Sequence, residues 1–408
     1  MNLLGKLDYG DRVIIPVNPK GRFAKKIGKE LKQPWRVDGL IAHFSHDDDD
    51  YDPKLLLNEK EGFVDEPRNR LKGKTVYLVA SHHSWNPSLL FERICHTASL
   101  CLENGAEKVN LVWTNVRLSG NHLRPGTGNK FTPKDIEKYD GKSLSTTRIA
   151  KRFKAEGISK VLTLHTHSKN IVEAFGEVYF GDIERGKECF IDLPVAPIVA
   201  HYLYSSGKIK NSGKDAVFIS TDEGSKDLGV DIMKNLQNLD PSLKDISWIQ
   251  FGKRRDPQTG VLKEIFETEK SENYTGIEGK DKFIFDDIVR SFSSMYGVID
   301  KLGGKNYTMF ATHAHLTGDS QNLLRSDKIK EIIFTNTMTS NLENPYYEYQ
   351  LFPKTTVIKV GKYLANAIPN IVEDGNDPDS FYTAKSPSDI NIISKLYDLR
   401  REFNSNNG

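Results

Sequence analysis

The feature that most constrains the fold of this chain is a three-part pattern that recurs along it. An apolar run rich in β-branched residues ends in a small polar cluster, and a segment of helical periodicity follows. The run KTVYLVA, for example, leads into LLFERICHTASLCLENG, which predicts an amphipathic helix that stops at Asn104 and Gly105. Apolar strands that alternate with helices predict an α/β fold with parallel sheets covered on both faces. Strands are predicted at 74–80, 107–114, 160–165, 215–220, 246–251, 282–289, 307–313, 331–337 and 355–360.

The number of predicted strands is too large for one compact sheet. We therefore expect two doubly wound parallel-sheet domains. The boundary is predicted near Pro194–Pro197, so that an N-terminal domain covers 1–190 and a C-terminal domain covers 191–408. The first domain begins with an extension before about residue 63, and the second ends in a tail. Two long polar stretches are predicted as loops, of the length that active-site flaps or disordered segments have; they are 120–142 and 253–275.

The composition excludes several classes of protein. No apolar run reaches the roughly 18 residues of a membrane-spanning helix, and the N-terminus has no long apolar signal core. The three cysteines, Cys95, Cys101 and Cys189, are too few for a disulfide scaffold, which favours a reducing compartment. A net charge of +2 gives no reason to expect a nucleic-acid partner. We therefore expect a cytoplasmic protein, an enzyme or its relative, that binds neither membranes nor nucleic acid.

Candidate site residues lie in the polar clusters after the strands, because ligands of open α/β sheets bind at the carboxyl ends of strands. Asp286 and Asp287 close one strand, and two adjacent carboxylates suit sugar hydroxyls or Mg²⁺. The turn Ser291–Ser294 offers hydroxyls and backbone N–H groups at a helix N-terminus, which suits a phosphate. The alternative is that Ser293 or Ser294 only caps the helix.

Other clusters allow further chemistry, each with a structural alternative. Asp222 could bind a metal and Lys226 a phosphate, although an aspartate that caps a helix explains the same turn. Lys253–Arg255 supplies three cations at the start of a polar stretch, which suits a polyphosphate or, equally, a solvated turn. Two His-x-His pairs could bind a metal, but such pairs are more often structural; they are His165 with His167 and His313 with His315.

Taken in order, these segments resemble one family, ribose-phosphate diphosphokinase, also called phosphoribosyl pyrophosphate (PRPP) synthetase. The resemblance runs from about Phe63 to Ala367. GIEGKDKFIFDDIV is similar to the family's strand with the acidic pair that binds ribose phosphate, and GKRR to the Lys-Arg-Arg that opens its catalytic flap. Further segments match in the family's order; they are FVDEPRNRLKGKTVYLV, TNVRLSG, HTHSKNIVEAF and ISTDEGSKD.

The resemblance implies two domains of the type I phosphoribosyltransferase fold and transfer of a diphosphoryl group from Mg-ATP to the 1-hydroxyl of ribose 5-phosphate. Mg²⁺ would be the cofactor, ATP and ribose 5-phosphate the substrates, and the chain would assemble as a homodimer or hexamer. The segment from Lys253 to about Tyr274 would close over ATP. By motif position, the implied site residues are Lys253 and Arg255 for catalysis; Phe63, Asp65, Glu66, Arg117 and His167 for ATP; Asp286, Asp287, Arg290, Ser291, Ser293 and Ser294 for ribose 5-phosphate; and His167 and Asp222 for the metal.

Departures from the family pattern leave alternatives open. Arg290 replaces the family's third aspartate, and Phe292 with Ser293 replaces its glycine pair. Glycine lets backbone N–H groups approach a phosphate closely, whereas Phe292 brings a Cβ and a ring. Arg290 could pair with the sugar's phosphate, or with Asp286 and block it. The chain is therefore interpreted as a divergent active synthetase, as a non-catalytic paralogue that associates with a second synthetase subunit, or as a diphosphokinase with another sugar-phosphate acceptor.

Overall fold

The computed structural model shows two compact units, each built around its own sheet. The first unit runs to Leu193 and takes up the chain again at Gly361, and the second runs from Pro194 to Val360. The described residues 361–375 therefore belong with the first unit, whereas the sequence placed them in the C-terminal domain. The structure describes residues 12–17, 22–31, 41–43, 54–56, 71–81, 87–116, 145–166, 168, 170–255, 262–316, 326–338 and 354–375.

The first unit contains a five-stranded parallel sheet and a short antiparallel pair. The sheet consists of β1 (Arg12–Pro16), β4 (Thr75–Ala80), β5 (Lys108–Trp113), β6 (Ile158–Leu164) and β7 (Phe190–Leu193), which neighbour one another in that order. The antiparallel pair is β2 (Ile41–His43) with β3 (Lys54–Leu56). Its helices are α1 (Arg22–Glu30), α2 (Pro87–Glu103), α3 (Ser145–Ala155), α4 (Asn170–Phe180) and a C-terminal helix (Gly361–Ala367) continued by a π-helical turn (Ile368–Glu373).

Both faces of this first sheet are covered. Alternate residues of its central strands, such as Leu78 and Leu111, are buried in one core with α2, α3 and α4. On the opposite face, the Tyr77 hydroxyl donates a hydrogen bond to Glu373 Oε1 (2.8 Å), and Glu373 also pairs with Arg12 of β1. The returning C-terminal segment is thus fastened to the first sheet by a hydrogen bond and an ion pair.

The second unit contains a seven-stranded sheet. Its strands are β8 (Ala216–Ser220), β9 (Ser247–Arg255), β10 (Leu262–Lys270), β11 (Asp281–Val289), β12 (Tyr307–Ala314), β13 (Ile329–Thr335) and β14 (Thr355–Ile358). The order is β10-β9-β8-β11-β12-β13-β14, and all neighbours are parallel except β10 against β9. Helices α5 (Ala196–Ser205), α6 (Glu223–Leu239) and α7 (Ser293–Leu302) flank the sheet, and 3₁₀ turns lie at Ile183–Glu188 in the first unit and at Asn211–Gly213 and Asn336–Met338 in the second.

The two faces of the second sheet bury different side chains. Met295 and Val298 of α7 lie in one core with aliphatic residues of the central strands, such as Ile284. On the other face, the rings of Phe218 and Phe285 pack with their centroids 4.7 Å apart, beside α6. The expected α/β fold with parallel sheets is therefore confirmed.

Five described strands lie where the sequence predicted none. β1, β2 and β3 fall inside the expected N-terminal extension, β7 follows the 3₁₀ turn at Ile183–Glu188, and β10 falls inside the stretch 253–275 that was predicted as a loop. The loop prediction is wrong over β10 because the sequence LKEIFETEK is mostly charged and its side chains are largely exposed at the edge of the sheet. Among the described helices, none is long and apolar enough to span a membrane.

Candidate active site

The carboxyl end of β8 lies beside Phe285 of β11 and brings two polar clusters together. The strands are parallel, with Ser220 opposite Phe285, so the residues that follow, Thr221 and Asp286, are neighbours. The Thr221 hydroxyl donates a hydrogen bond to Asp286 Oδ2 (3.2 Å). Strand register alone thus puts the acidic pair of β11 beside the turn that carries Asp222.

Asp286 is a buried carboxylate in acidic surroundings. It is 7% exposed, and burial together with the charges of Asp287 and Asp222 raises its pKa well above the ordinary value, against an opposing effect of Lys253. Its Oδ1 accepts a hydrogen bond from the backbone N–H of Asp287 (2.9 Å). The cluster therefore holds more negative charge than Lys253 balances, which favours the binding of a further cation.

Asp222 both begins a helix and faces this cluster. It is the N-cap of α6, where its Oδ1 accepts a hydrogen bond from the backbone N–H of Ser225 (3.0 Å) and its own N–H donates to Ser225 Oγ (3.0 Å). Its Oδ2 accepts a hydrogen bond from the ammonium group of Lys253. The helix-cap explanation of this turn is therefore confirmed, and both oxygens of the carboxylate have partners within the chain.

The basic run on β9 is divided between the two faces of the strand, since successive side chains point to opposite sides. Lys253 contacts Asp222, whereas Arg254 is exposed and pairs across the hairpin with Glu264 (2.9 Å). Arg255 ends the strand, and its side chain lies outside the described part of the chain. Because β9 and β10 form an antiparallel hairpin, the segment between them is limited to 256–261.

Lys226 lies away from the acidic cluster. It forms an ion pair with Glu269 of β10, and its ammonium nitrogen lies 4.9 Å from the ring centroid of Trp248. Lys226 is thus paired with a carboxylate of the chain itself, and its contact with a phosphate stays a prediction. Lys226 fastens α6 to the β9–β10 hairpin.

The serine turn after β11 has a backbone conformation that glycine adopts more easily. Phe292, the N-cap of α7, has a φ of 63° in the left-handed region, which costs a residue with a Cβ roughly 1–2 kcal/mol. Its ring is 3% exposed and packs against Phe334, with the ring centroids 6.2 Å apart. The ring lies in the core and not over the turn, where Ser291 Oγ donates a hydrogen bond to Ser293 Oγ (3.3 Å).

Arg290 does not neutralise the buried aspartate. Its side chain is exposed, and the charges that act on the pKa of Asp286 come from Asp287, Asp222 and Lys253. The expectation that Arg290 could block Asp286 is therefore not met in this structure. The guanidinium remains on the surface beside the serine turn.

The His-x-His pair at the end of β12 has a structural role. His313 and His315 are 1% and 3% exposed, and His313 Nδ1 lies 2.8 Å from Thr337 Oγ1. In the other pair, His165 is described, with a φ of 50°, whereas His167 lies outside the described residues. Burial of both rings and the contact with Thr337 favour the structural alternative for His313 and His315.

Sequence reasoning missed Asp192, at the end of β7. Its carboxylate accepts hydrogen bonds from the backbone N–H (3.0 Å) and the hydroxyl (2.5 Å) of Thr166, in the turn after β6. Asp192 therefore holds the turn that leads toward the candidate His167. The available signal was an acidic residue within the apolar strand FIDL, which the helix-and-strand pattern does not explain.

Five candidates lie outside the described residues: Phe63, Asp65, Glu66, Arg117 and His167. Within the described ranges, no group of three or more His, Cys, Asp or Glu side chains is arranged to hold a metal. The carboxylates of Asp222 and Asp286 nevertheless fit Mg²⁺, because proteins commonly hold Mg²⁺ by one or two carboxylates and leave the other positions to substrate phosphates and water. The acidic surroundings that raise the pKa of Asp286 point the same way.

No family model matches the chain, but individual curated proteins are similar to it. The ribose-phosphate pyrophosphokinase of Halalkalibacterium halodurans is 26% identical over 234 residues, which cover 55% of this chain and 60% of the relative. The protein of that name from Streptomyces avermitilis is 24% identical over 244 residues (59% and 65%), and that from Bifidobacterium longum 29% over 110 residues (26% and 31%). The chain thus matches less than two thirds of the length of these relatives.

Among solved structures, phosphoribosylpyrophosphate synthetase from Mycobacterium smegmatis is similar in fold. The TM-score is 0.62 at 16% sequence identity, and the match covers 90% of this chain and 100% of that one. The chain is thus similar, at low identity, to curated ribose-phosphate pyrophosphokinases, and it shares the fold of a phosphoribosylpyrophosphate synthetase.

Proposed function

We propose that this protein is a ribose-phosphate diphosphokinase, a cytoplasmic enzyme of nucleotide biosynthesis that forms PRPP and AMP from ribose 5-phosphate and ATP. The observation that carries the proposal is the cluster of Lys253, Asp222 and Asp286 at the carboxyl ends of three neighbouring strands. A cation that faces acidic side chains at this edge suits a reaction on a metal-bound polyphosphate. The names of the curated relatives support the same activity.

The cations of β9 would act on the transferred group. In this reaction the 1-hydroxyl oxygen of the sugar forms a bond to the β-phosphorus of ATP, and the bond from that phosphorus to the AMP oxygen breaks. Negative charge therefore grows on AMP, and the hydroxyl proton leaves to solvent or a nearby acceptor. Lys253 and Arg255 would neutralise charge on the diphosphoryl group, which contributes more to such transfers than a strong base does.

The acceptor would lie along the end of β11. Asp286 and Asp287 would accept hydrogen bonds from the ribose hydroxyls. The serine turn and the N-terminus of α7 would hold the 5-phosphate; the residues concerned are Arg290, Ser291, Ser293 and Ser294. Because the Phe292 ring is buried in the core, it leaves the turn open to a phosphate, which supports a catalytic protein over a non-catalytic paralogue.

ATP would be bound by this cluster together with residues outside the described part; they are Phe63, Asp65, Glu66, Arg117 and His167. Asp222 and His167 would hold Mg²⁺, as the family resemblance implies, and Mg²⁺ when bound would neutralise part of the polyphosphate charge. We further propose that the chain assembles as a homodimer or hexamer, as the family resemblance implies. Light scattering of the purified protein at two concentrations measures that state directly.

AMP release from Mg-ATP by the purified protein, measured with and without ribose 5-phosphate, tests the activity. We expect AMP only with the sugar phosphate, in equal amount to PRPP. An absence of AMP under conditions where ATP binds would contradict the proposal and favour the paralogue that needs a second synthetase subunit. Because Arg290 is exposed beside the serine turn, it could contact a different sugar phosphate. The same assay should therefore include a panel of sugar phosphates. Turnover with another sugar phosphate, and none with ribose 5-phosphate, would identify that compound as the acceptor.

A further inference from the structure

Lys253 and Asp222 form an ion pair at the centre of the proposed catalytic cluster. Both side chains are about three-quarters buried, with 25% and 27% of their surfaces exposed. The residue expected to meet the polyphosphate is therefore bound to the residue expected to meet the metal. In this arrangement neither side chain can reach its proposed ligand without giving up the other.

Both carboxylate oxygens of Asp222 have partners within the chain. Its Oδ1 is held by the backbone N–H of Ser225 at 3.0 Å, a bond that begins α6, and its Oδ2 is held by Lys253. Because the first bond belongs to a helix cap, Oδ2 is the oxygen that an incoming cation can take. An ammonium group and a divalent cation repel one another strongly at contact distance, so they exclude each other from one oxygen.

Lys253 also supplies positive charge that the cluster needs. Asp286 is buried beside Asp287 and Asp222, and Lys253 is the group that opposes their effect on it. Removal of the ammonium without a replacement would leave buried carboxylates with less compensation, which is unfavourable. A cation that displaces Lys253 restores that compensation, so the exchange of one cation for another is easier than simple dissociation of the pair.

We propose that Lys253 and a divalent cation bind Asp222 in turn, so that arrival of the metal releases the lysine for the polyphosphate. The proposal rests on the function proposed above and concerns how its site is switched on. Without metal, the pair with Asp222 withholds Lys253 from substrate. The nucleophilic sugar and ATP would then meet a competent cation only after the metal is in place.

The exchange requires movement of one side chain and not of the strand that carries it. The β9–β10 hairpin is fastened independently by the ion pair of Arg254 with Glu264 and by that of Lys226 with Glu269. Neither of these pairs involves Asp222. They therefore provide reference ion pairs on the same hairpin, one within it and one between it and α6, that the metal should leave unchanged.

Amine labelling in the absence of both substrates tests the exchange. The intact protein is treated briefly with an amine-acetylating reagent, with Mg²⁺ or with NaCl of equal ionic strength, and modification of Lys253 and Lys226 is measured by mass spectrometry. Mg²⁺ should raise the labelling rate of Lys253 by about fivefold. This factor corresponds to about 1 kcal/mol, the upper end of the stabilisation that a partly exposed ion pair gives. Lys226, whose side chain is 28% exposed and paired with Glu269, should keep its rate.

Two variants separate the exchange from a general opening of the fold. Asp222→Asn should label rapidly at Lys253 with or without Mg²⁺, and Glu269→Gln should label rapidly at Lys226 while Lys253 keeps its response to Mg²⁺. Should Asp222→Asn fail to fold, Lys253→Met replaces it: calorimetry should show tighter Mg²⁺ binding than in the wild type, and Lys226→Met should show no such gain.

The proposal is overturned if Mg²⁺ binds by calorimetry and Lys253 labelling does not change, or if both lysines respond equally. It is also overturned if Lys253→Met and Lys226→Met bind Mg²⁺ alike. These measurements contain no ATP and no sugar, so their outcome is independent of the assay for AMP. Turnover without exchange would reject the switch alone, and exchange without turnover would reject the proposed reaction alone.

Discussion

Two buried carboxylates in the second sheet have opposite surroundings. Asp286, 7% exposed near the carboxyl end of β11, has acidic neighbours, and burial with their charges raises its pKa. Glu331, 4% exposed near the amino end of β13, accepts hydrogen bonds from Lys208, from the Tyr202 hydroxyl (3.0 Å) and from the Thr356 hydroxyl (2.7 Å). Glu331 thus accepts hydrogen bonds from three side chains, whereas Asp286 lies beside two other carboxylates.

The difference distinguishes a structural carboxylate from one suited to bind a ligand. Burial raises the pKa of Glu331, but the hydrogen bonds from Lys208 and Thr356 and the charge of Lys208 outweigh it and lower the pKa overall. At Asp286 the neighbouring acids add to burial. A buried charge without compensation costs stability, and such groups collect at functional sites where a ligand completes them. We therefore expect mutations at the two ends of the sheet to separate activity from stability.

The largest expected effect is on activity at the carboxyl end. Lys253→Ala should lower kcat for AMP formation on the order of 10³-fold, because it removes a cation from the transferred group. The free energy of unfolding in urea should change by about 1 kcal/mol or less, since the lysine is partly exposed. Arg254→Ala, next to it on the exposed side of β9, is the matched control and should keep its turnover. Full activity in Lys253→Ala would falsify the catalytic assignment.

The next effect is on stability at the amino end. Glu331→Gln should lower the free energy of unfolding by about 2 kcal/mol, because it leaves the partly buried Lys208 without its counter-charge. AMP formation should not change, since Glu331 lies outside the proposed site. Lys330→Gln, the neighbour whose ion pair with Asp281 is exposed, should cost less than about 0.5 kcal/mol. Equal losses in the two variants would mean that Glu331 is not the structural carboxylate described above.

At Asp286 we expect a substitution to raise the free energy of unfolding, whereas at Glu331 it lowers it. With EDTA present, Asp286→Asn should raise the free energy of unfolding by about 1 kcal/mol, because it removes a buried charge that lies beside other carboxylates. The same variant should lose most AMP formation, since the amide cannot replace a carboxylate toward the sugar or a cation. A loss of stability as large as that of Glu331→Gln would show that Asp286 is compensated in the folded chain, and the comparison would fail.

Much of this arrangement follows from local sequence, and the remainder depends on contacts between distant segments. The apolar run before Asp286 predicts β11, but the strand does not close at the acidic pair and continues through it to Val289. The strand register that sets Thr221 beside Asp286 comes from the pairing of β8 with β11, which no single segment encodes. The buried position of the Phe292 ring depends on Phe334 of another strand, so the sequence alone made the ring an obstacle in the turn. For the same reason, the sequence alone did not predict the ion pair of Lys226 or the hydrogen bonds from Thr166 to Asp192.

The smallest expected effect is a pH dependence that belongs to Glu331 alone. A carboxyl group whose pKa is lower in the folded than in the unfolded chain stabilises the fold above its unfolded pKa, and that stabilisation is lost as the pH falls through the folded pKa. The pKa of Glu331 lies below its ordinary value of 4.5, so its contribution should be complete at neutral pH and decline in acid.

The measurement is the difference in free energy of unfolding between wild type and Glu331→Gln, taken by urea titration at several pH values. Both proteins share every other titrating group, so the subtraction leaves the part due to Glu331. The difference should be constant above about pH 5.5 and shrink below about pH 4.5, near the pKa of an unfolded glutamate. A difference that grows in acid would require the pKa of Glu331 to be raised by folding. Glu331 would then resemble Asp286, and the contrast between the two ends of the sheet would have no electrostatic basis.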